Sequence, residues 1–209
     1  MQTKIRGMKS VAAVEVDLKA TEGGALHNAD LARIWTAKGY GFQVMSTGAV
    51  AALVVRPSTL SAITLYNAEA GGGKIYVIER VMAFNLVSTA AAAFWSIWLC
   101  SHPVNMTAPT GNNITIRNNT RGVAAGGSSS ILDTAETVAD DGWFPWGPIG
   151  QSEATGVLPS GAVSAEVGGR IMVPPGAGLS VQVVSSATGQ TFTHGIHWFE
   201  VPQSELGLG

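Results

Sequence analysis

The chain is short of charge. Lys and Arg number 12 and Asp and Glu 14 in 209 residues, so charged residues make up 12% of the sequence, about half the usual ~25% of a globular domain. The net charge of −2 supplies no basic field of the kind a phosphate backbone demands, which argues against nucleic acid as a partner. There is one cysteine, Cys100, which excludes an intrachain disulfide framework. No Gly-x-Ser-x-Gly elbow is present. Near the start, the apolar run from Val11 to Val14 stops at Glu15, with Asp17 soon after. A secretory core needs about 7–15 apolar residues, so no signal peptide is expected.

What is present is apolar and full of turns. Hydrophobic residues at 46% exclude a disordered polyanion. Gly 26 and Pro 9 together make about 17% of the chain, against a usual ~12%. A chain of this length suits one all-β domain. One stretch, residues 81–100, imitates a membrane span: it carries no charge and is long enough to cross. Asn85, Ser88, Thr89 and Ser96 interrupt it, and Glu79 and Arg80 abut one end. The better reading is two antiparallel strands joined near the Ala90–Ala93 run, with no membrane partner.

Along the chain, residues 1–30 read as an extended N-terminal arm, with brief alternation at Val14, Val16 and Leu18 before Glu22, Gly23 and Gly24 break it. Residues 31–35 and 40–44 read as two strands of a hairpin. Ile63 and Leu65 alternate with Thr64 and Tyr66. Residues 75–87 are the longest strand candidate, with Tyr76, Ile78, Met82, Phe84 and Leu86 on one face and Ile75, Val77, Val81 and Ala83 on the other. Residues 94–100 are expected beside it. Residues 101–127 read as a long loop, with a short strand at Ile114 and Ile116. Residues 130–141 are the one helix expected, because Ser130 and Asp133 form a loose capping box and Gly142 suits the position after the end. Residues 179–185 and 191–201 read as an antiparallel pair. The fold class is therefore all-β: an antiparallel β-sandwich, jelly-roll-like, over residues 31–209, with one short helix.

Candidate sites are few. Gly71, Gly72, Gly73 and Lys74 suggest a phosphate loop, but Ala68 stands where the motif needs glycine and Ile75 where it needs Ser or Thr, so a turn is expected. His194 and His197 lie three apart in a strand and point to opposite faces, so they do not chelate without a bulge, for which Gly195 is the candidate. No carboxylate or cysteine cluster completes a metal set around them, and no metal or other cofactor is expected. Asp133, Glu136, Asp140 and Asp141 do not follow the EF-hand order and read as a solvated helix face. Cys100 and His102 sit close in sequence, but nothing marks a nucleophile, and a buried, small apolar Cys100 is expected. Asn105, Asn113 and Asn118 head glycosylation triplets that read as loop composition. The best binding feature is Trp143, Phe144 and Trp146, an aromatic patch fit to dock a partner or stack on a sugar.

Leu65-Tyr-Asn67, followed by Gly71-Gly-Gly-Lys74 and the apolar run to Val81, resembles a recurring pattern in virion proteins of tailed bacteriophages. Ala29 to Arg33, Gly39 to Phe42, Val173 to Gly176 and His194 to Val201 resemble the same group, so the likeness spans residues 27–201. It implies a capsid cement (decoration) protein or other head component, often a homotrimer, with the major capsid protein as partner. It further implies a place on the capsid surface of the virion after synthesis in the host cytoplasm, and no catalytic residues. The residues agree in kind: low charge suits broad subunit contacts, and a subunit that binds only the assembled shell stabilises it by mass action. Contacts are then expected at Trp143, Phe144, Trp146, His194 and His197. The alternative is a receptor- or glycan-binding module of a phage tail or fibre using the Trp143–Trp146 loop. A jelly-roll hydrolase or metal enzyme would need convergent histidines and carboxylates.

Overall fold

The computed structural model describes residues 6–8, 15–17, 30–88, 92–111, 114–120, 122, 128–134, 136–138, 140–152 and 161–208. Its contacts divide into two units, Met1–Ile34 and Trp35–Gly209. In the first, β1 (Arg6–Met8) and β2 (Glu15–Asp17) pair antiparallel, Arg6 opposite Asp17 and Met8 opposite Glu15. The break expected at Glu22, Gly23 and Gly24 lies outside the described residues.

The strand expected over residues 31–35 is instead a helix, α1 (Leu31–Ala37). Its two ends explain why. Asp30 caps the start: its carboxylate accepts the Ala32 N–H at 3.2 Å and its carbonyl the Ile34 N–H at 3.1 Å. At the other end Gly39 takes the left-handed conformation, φ +80°. There the Gly39 N–H donates to the Thr36 carbonyl and the Tyr40 N–H to the Trp35 carbonyl, both at 2.9 Å. Those bonds satisfy carbonyls that a short helix leaves open, and glycine adopts that φ without steric cost.

The second unit is a two-sheet sandwich, as expected. Its strands are β3 (Gly41–Met45), β4 (Val50–Ala51), β5 (Ile63–Asn67), β6 (Ile75–Val87), β7 (Ala93–His102), β8 (Arg117–Asn118), β9 (Ser130–Thr134), β10 (Phe144–Ser152), β11 (Gly161–Val173), β12 (Gly178–Ser185) and β13 (Thr191–Val201), followed by a 3-10 turn, Gln203–Leu206. One sheet runs β10-β7-β12-β5-β9; the other runs β11-β6-β13-β3-β8, with β4 also on β13. All the ladders are antiparallel.

From β5 to β7 and again from β10 to β13, consecutive strands do not pair but change sheets. β5, β7, β10 and β12 belong to one sheet and β6, β11 and β13 to the other, the jelly-roll-like habit. Two expectations are corrected here. β7 is not the neighbour of β6, which pairs instead with β11 and β13. Likewise β13 is not the partner of β12, which lies between β7 and β5. A turn signal marks where a strand ends, but β6, β7 and β13 carry apolar residues on both faces, so sequence does not choose the partner.

The helix expected over residues 130–141 is also corrected. Ser130–Thr134 is β9, with Leu132 opposite Leu65 and Ser130 opposite Asn67 on β5. Leu132 is fully buried, and ladder pairing with β5, which β9 covers on its free side, outweighs a weak capping signal. Ile114 and Ile116 are buried in the core without joining a strand; the ladder residues are Arg117 and Asn118. In β6 the side-chain alternation shifts by one. Ile78 pairs with Trp198 while Arg80 pairs with His197, so Glu79 is an extra residue. The bulge puts Tyr76 and Ile78 in the core with Val81 and Ala83, rather than with Met82 and Phe84, because one inserted residue flips every side chain beyond it.

The core lies between the sheets. Trp95 of β7 meets Phe192 of β13 edge-on at 4.7 Å, and Phe42 stacks on Trp198 at 6.0 Å. Opposite Trp95 on β10 sits Gly150. A Cβ there would come within 2.6 Å of the indole ring, so only glycine lets the ring lie flat against that strand. Among the described residues no helix is long and apolar enough to cross a membrane; residues 81–87 and 93–100 are strands.

Candidate functional site

The aromatic segment does not act as one patch. Trp143 is 4% exposed and packs with Cys100 and Val138, with Trp98 and Met106 against them. It is a cover over the outer face of the five-stranded sheet and leaves little surface for the partner contact expected of it. Trp146 is half-buried against the core. Its indole N–H donates to the Glu166 carbonyl at 3.2 Å, and the Arg170 guanidinium lies 5.2 Å from the ring centre. Phe144 is 62% exposed, with its ring 6.4 Å from that of Trp146. β10 is an edge strand, and its register shifts between Trp146 and Ile149. Beyond the shift Ile149 is 72% exposed, and Phe94 on the paired β7 is 60% exposed. Ile149 and Gln151 pair with Ser96 and Phe94, so Ile149 and Phe94 share the outward face as diagonal neighbours. Phe94 and Ile149 went unnoticed in the sequence because an outward apolar residue on a strand looks the same as an inward one.

His194 and His197 lie on opposite faces of β13. His194 faces the core beside Phe192, fully buried, and neither ring nitrogen has a partner among the described residues. Burial pushes it down to about 3. His197 faces out beside Arg80. Its Nε2 accepts from the Asn119 side-chain N–H at 2.6 Å, and burial and the Arg80 charge lower it against the opposing Glu166 carboxylate. The bulge follows His197 and not Gly195, so the two rings stay apart.

Gly71, Gly72 and Gly73 form the turn between β5 and β6, beside a shallow depression of about 400 Å³ that Lys74, Pro202, Gln203 and Ser204 also line. The Lys74 ammonium is 3.6 Å from Glu69 and 3.5 Å from the buried Glu200. Two carboxylates already occupy the charge that a phosphate would need.

The sheet's outer face holds a polar group that the sequence reading passed over. Cys100 and His102 stand two apart on β7 and so share a face. Across the ladder Ser180 of β12 is opposite Cys100, and Thr64 of β5 is opposite Ser180. His102 Nε2 is 2.7 Å from Ser180 Oγ, and its Nδ1 is 2.8 Å from Asp140 Oδ2 and 3.8 Å from Cys100 Sγ. Ser180 Oγ is 2.8 Å from Thr64 Oγ1, which is 2.6 Å from Ser61 Oγ. Burial chiefly pushes the Cys100 thiol up to about 12, and the Asp140 carboxylate adds to it. Burial works to raise Asp140 as well, but the Gly142 N–H and His102 outweigh it and hold the carboxyl below its ordinary value. Asp133 is buried too, accepting the Gly111 N–H at 2.9 Å, so the acidic residues are not a solvated helix face. Ser180, His102 and Asp140 stand at the distances of a nucleophile, base and orienting acid. Ser180 has no exposed surface, however, and its hydroxyl is held by Thr64, so no substrate carbonyl reaches it in this conformation. The spacing Cys-x-His on a strand was the available signal; Asp140, thirty-eight residues on, was not.

No protein-family model matches the chain, and no curated protein matches it. Among solved structures, the crystal structure of the infectious bursal disease virus VP2 subviral particle aligns at 13% identity over 98% of this chain and 48% of that one, with a TM-score of 0.10. The chain thus spans about half the length of that capsid protein, and a likeness at this score carries no argument about role.

Proposed function

We propose that the chain is a structural subunit of a virion: a capsid cement or decoration protein of a tailed bacteriophage that binds the assembled head, as a homotrimer, and stabilises it. The observation that carries this reading is the pair of large apolar side chains left in solvent on the outer face at the margin of the five-stranded sheet, Phe94 and Ile149, with Phe144 exposed further along β10 on the face of Leu99. Isolated exposed apolar residues are ordinary, but several on adjoining strands at a sheet margin mark a contact surface. Phe84 and Met45 add exposed apolar surface on the other sheet. The major capsid protein and neighbouring copies are the partners this surface fits, and the work is done by mass action on the assembled shell.

The double variant Phe144→Ser, Ile149→Ser should bind empty phage heads at least about tenfold more weakly in co-sedimentation, since two contact anchors are removed. Its unfolding free energy should stay within about 1 kcal/mol of the parent, because both side chains are on the surface. Equal binding by parent and variant would count against this surface, and no binding by the parent would count against the cement role. A second reading, a glycan-binding module, is favoured by the exposed Phe144 ring beside Trp146, which offers a stacking face. Sugar binding that Phe144→Ala abolishes, with no head binding in the parent, would establish that reading instead.

A further inference from the structure

The hydroxyl chain behind His102 has a fixed polarity. Ser61 Oγ donates to the Glu136 carbonyl at 3.2 Å, and a carbonyl only accepts. Each hydroxyl has one proton. Ser61 therefore accepts from Thr64, Thr64 accepts from Ser180, and Ser180 accepts from His102 Nε2–H. The ring proton is thus on Nε2, and Nδ1 presents a lone pair. That lone pair faces the Asp140 carboxylate at 2.8 Å and the Cys100 sulfur at 3.8 Å. Lone pair against carboxylate at hydrogen-bond distance is repulsive unless a cation stands there: a second ring proton, or a metal ion.

The surroundings fit the metal. Sγ, Nδ1 and the carboxylate oxygen all lie within 4.8 Å of one another. Around a tetrahedral zinc ion, with bonds of about 2.0–2.3 Å, neighbouring ligand atoms stand roughly 3.3–3.6 Å apart, so small shifts suffice. Ligating histidines hand their other N–H to an acceptor, and ligating carboxylates are themselves hydrogen-bonded. Here Ser180 takes the Nε2 proton, and the Gly142 N–H donates to Asp140 Oδ1 at 2.8 Å, leaving Oδ2 free to ligate. The backbone beside Asp140 is pinned as well: the Val138 and Asp140 N–H groups donate to the Thr59 and Ser58 carbonyls.

We propose that Cys100, His102 and Asp140 bind one Zn²⁺ ion through Sγ, Nδ1 and Oδ2, with a solvent oxygen in the fourth position. Thiolate, imidazole and carboxylate together suit zinc among the common divalent ions. Asp140 is the most exposed of the three, its side chain 22% accessible, and marks the solvent side. On binding, the thiol proton and any proton on Nδ1 leave to solvent, and the sulfur and nitrogen pairs go to the metal. The ion ties the β9–β10 connection, with Trp143, onto the sheet.

Cobalt titration of the full-length, chelator-treated chain tests this. Since Cys100 is the one cysteine, a cobalt–thiolate charge-transfer band reports this site alone. The expected result is that band, saturating at one equivalent and bleached by one equivalent of Zn²⁺. Asp140→Asn should weaken binding at least tenfold, and Ser180→Ala about 10–100-fold, with circular dichroism unchanged. Absence of the band in the folded parent would overturn the proposal and leave a second ring proton as the cation. Affinity unchanged in Asp140→Asn would also overturn it.

Discussion

Replacing Trp95 with alanine should lower the unfolding free energy by about 3–5 kcal/mol. The indole is almost wholly buried, and it meets the Phe192 ring edge-on at 4.7 Å. The two rings come from β7 and β13, which lie in opposite sheets, so the pair ties the layers together. Alanine would leave a void that neighbouring strands, held in their ladders, fill only in part. Gly150 lies against the indole on the β10 side and offers no side chain to move in. Trp95→Phe keeps an aromatic contact and should cost less than half as much. Its indole N–H has no partner among the described residues, so losing that donor removes no hydrogen bond. Urea unfolding at neutral pH measures both. An alanine variant within 1 kcal/mol of the parent would mean that Trp95 is not at the junction of the sheets.

Acid should destabilise the parent more than His194→Leu. His194 is fully buried, and burial holds it at about 3 in the folded chain against an ordinary 6.5. The unfolded chain takes up a proton below pH 6.5 that the folded chain refuses. Stability is therefore fully present above 6.5 and falls as the pH drops from there towards 3, by about 1.4 kcal/mol per unit. By pH 4 this one residue should have removed about 3 kcal/mol. Leucine does not titrate and leaves no unpaired ring nitrogen, so the variant should be at least as stable at pH 7. His197 is also held low and remains in both proteins, so the difference between their pH profiles isolates His194. Parallel urea midpoints from pH 7 to 4 would contradict a buried, neutral His194.

The sandwich was legible in the sequence where period and punctuation coincide. Ile63 and Leu65 face the core as their alternation requires, and β6 and β7 follow the uncharged stretch that imitates a membrane span. What failed was pairing. The turns after Asn67, Val87, Val173 and Ser185 look like hairpin turns, yet each carries the chain to the other sheet, and nothing within a few residues of a turn encodes that. The bulge at Glu79 was hidden because both faces of β6 are apolar on either side of it. Helix α1 was readable, since Asp30 and Gly39 are the two cap signals, but aromatic and β-branched residues between them favoured a strand. At the sites, Cys100 and His102 could be placed on one face by counting, whereas Ser180 and Thr64 reach them only through the ladders and Asp140 only through the β9–β10 connection.

The most direct test of the chain as a self-assembling virion subunit is its mass in solution, by light scattering at several concentrations. A cyclic assembly with the edge strand β10 and its neighbour β7 at the contacts should give three times the 21.6 kDa chain mass, about 65 kDa, and the value should hold on dilution. A mass of one chain at every concentration would contradict it and leave the exposed Phe144 ring, with a screen of glycans, as the surface to explain.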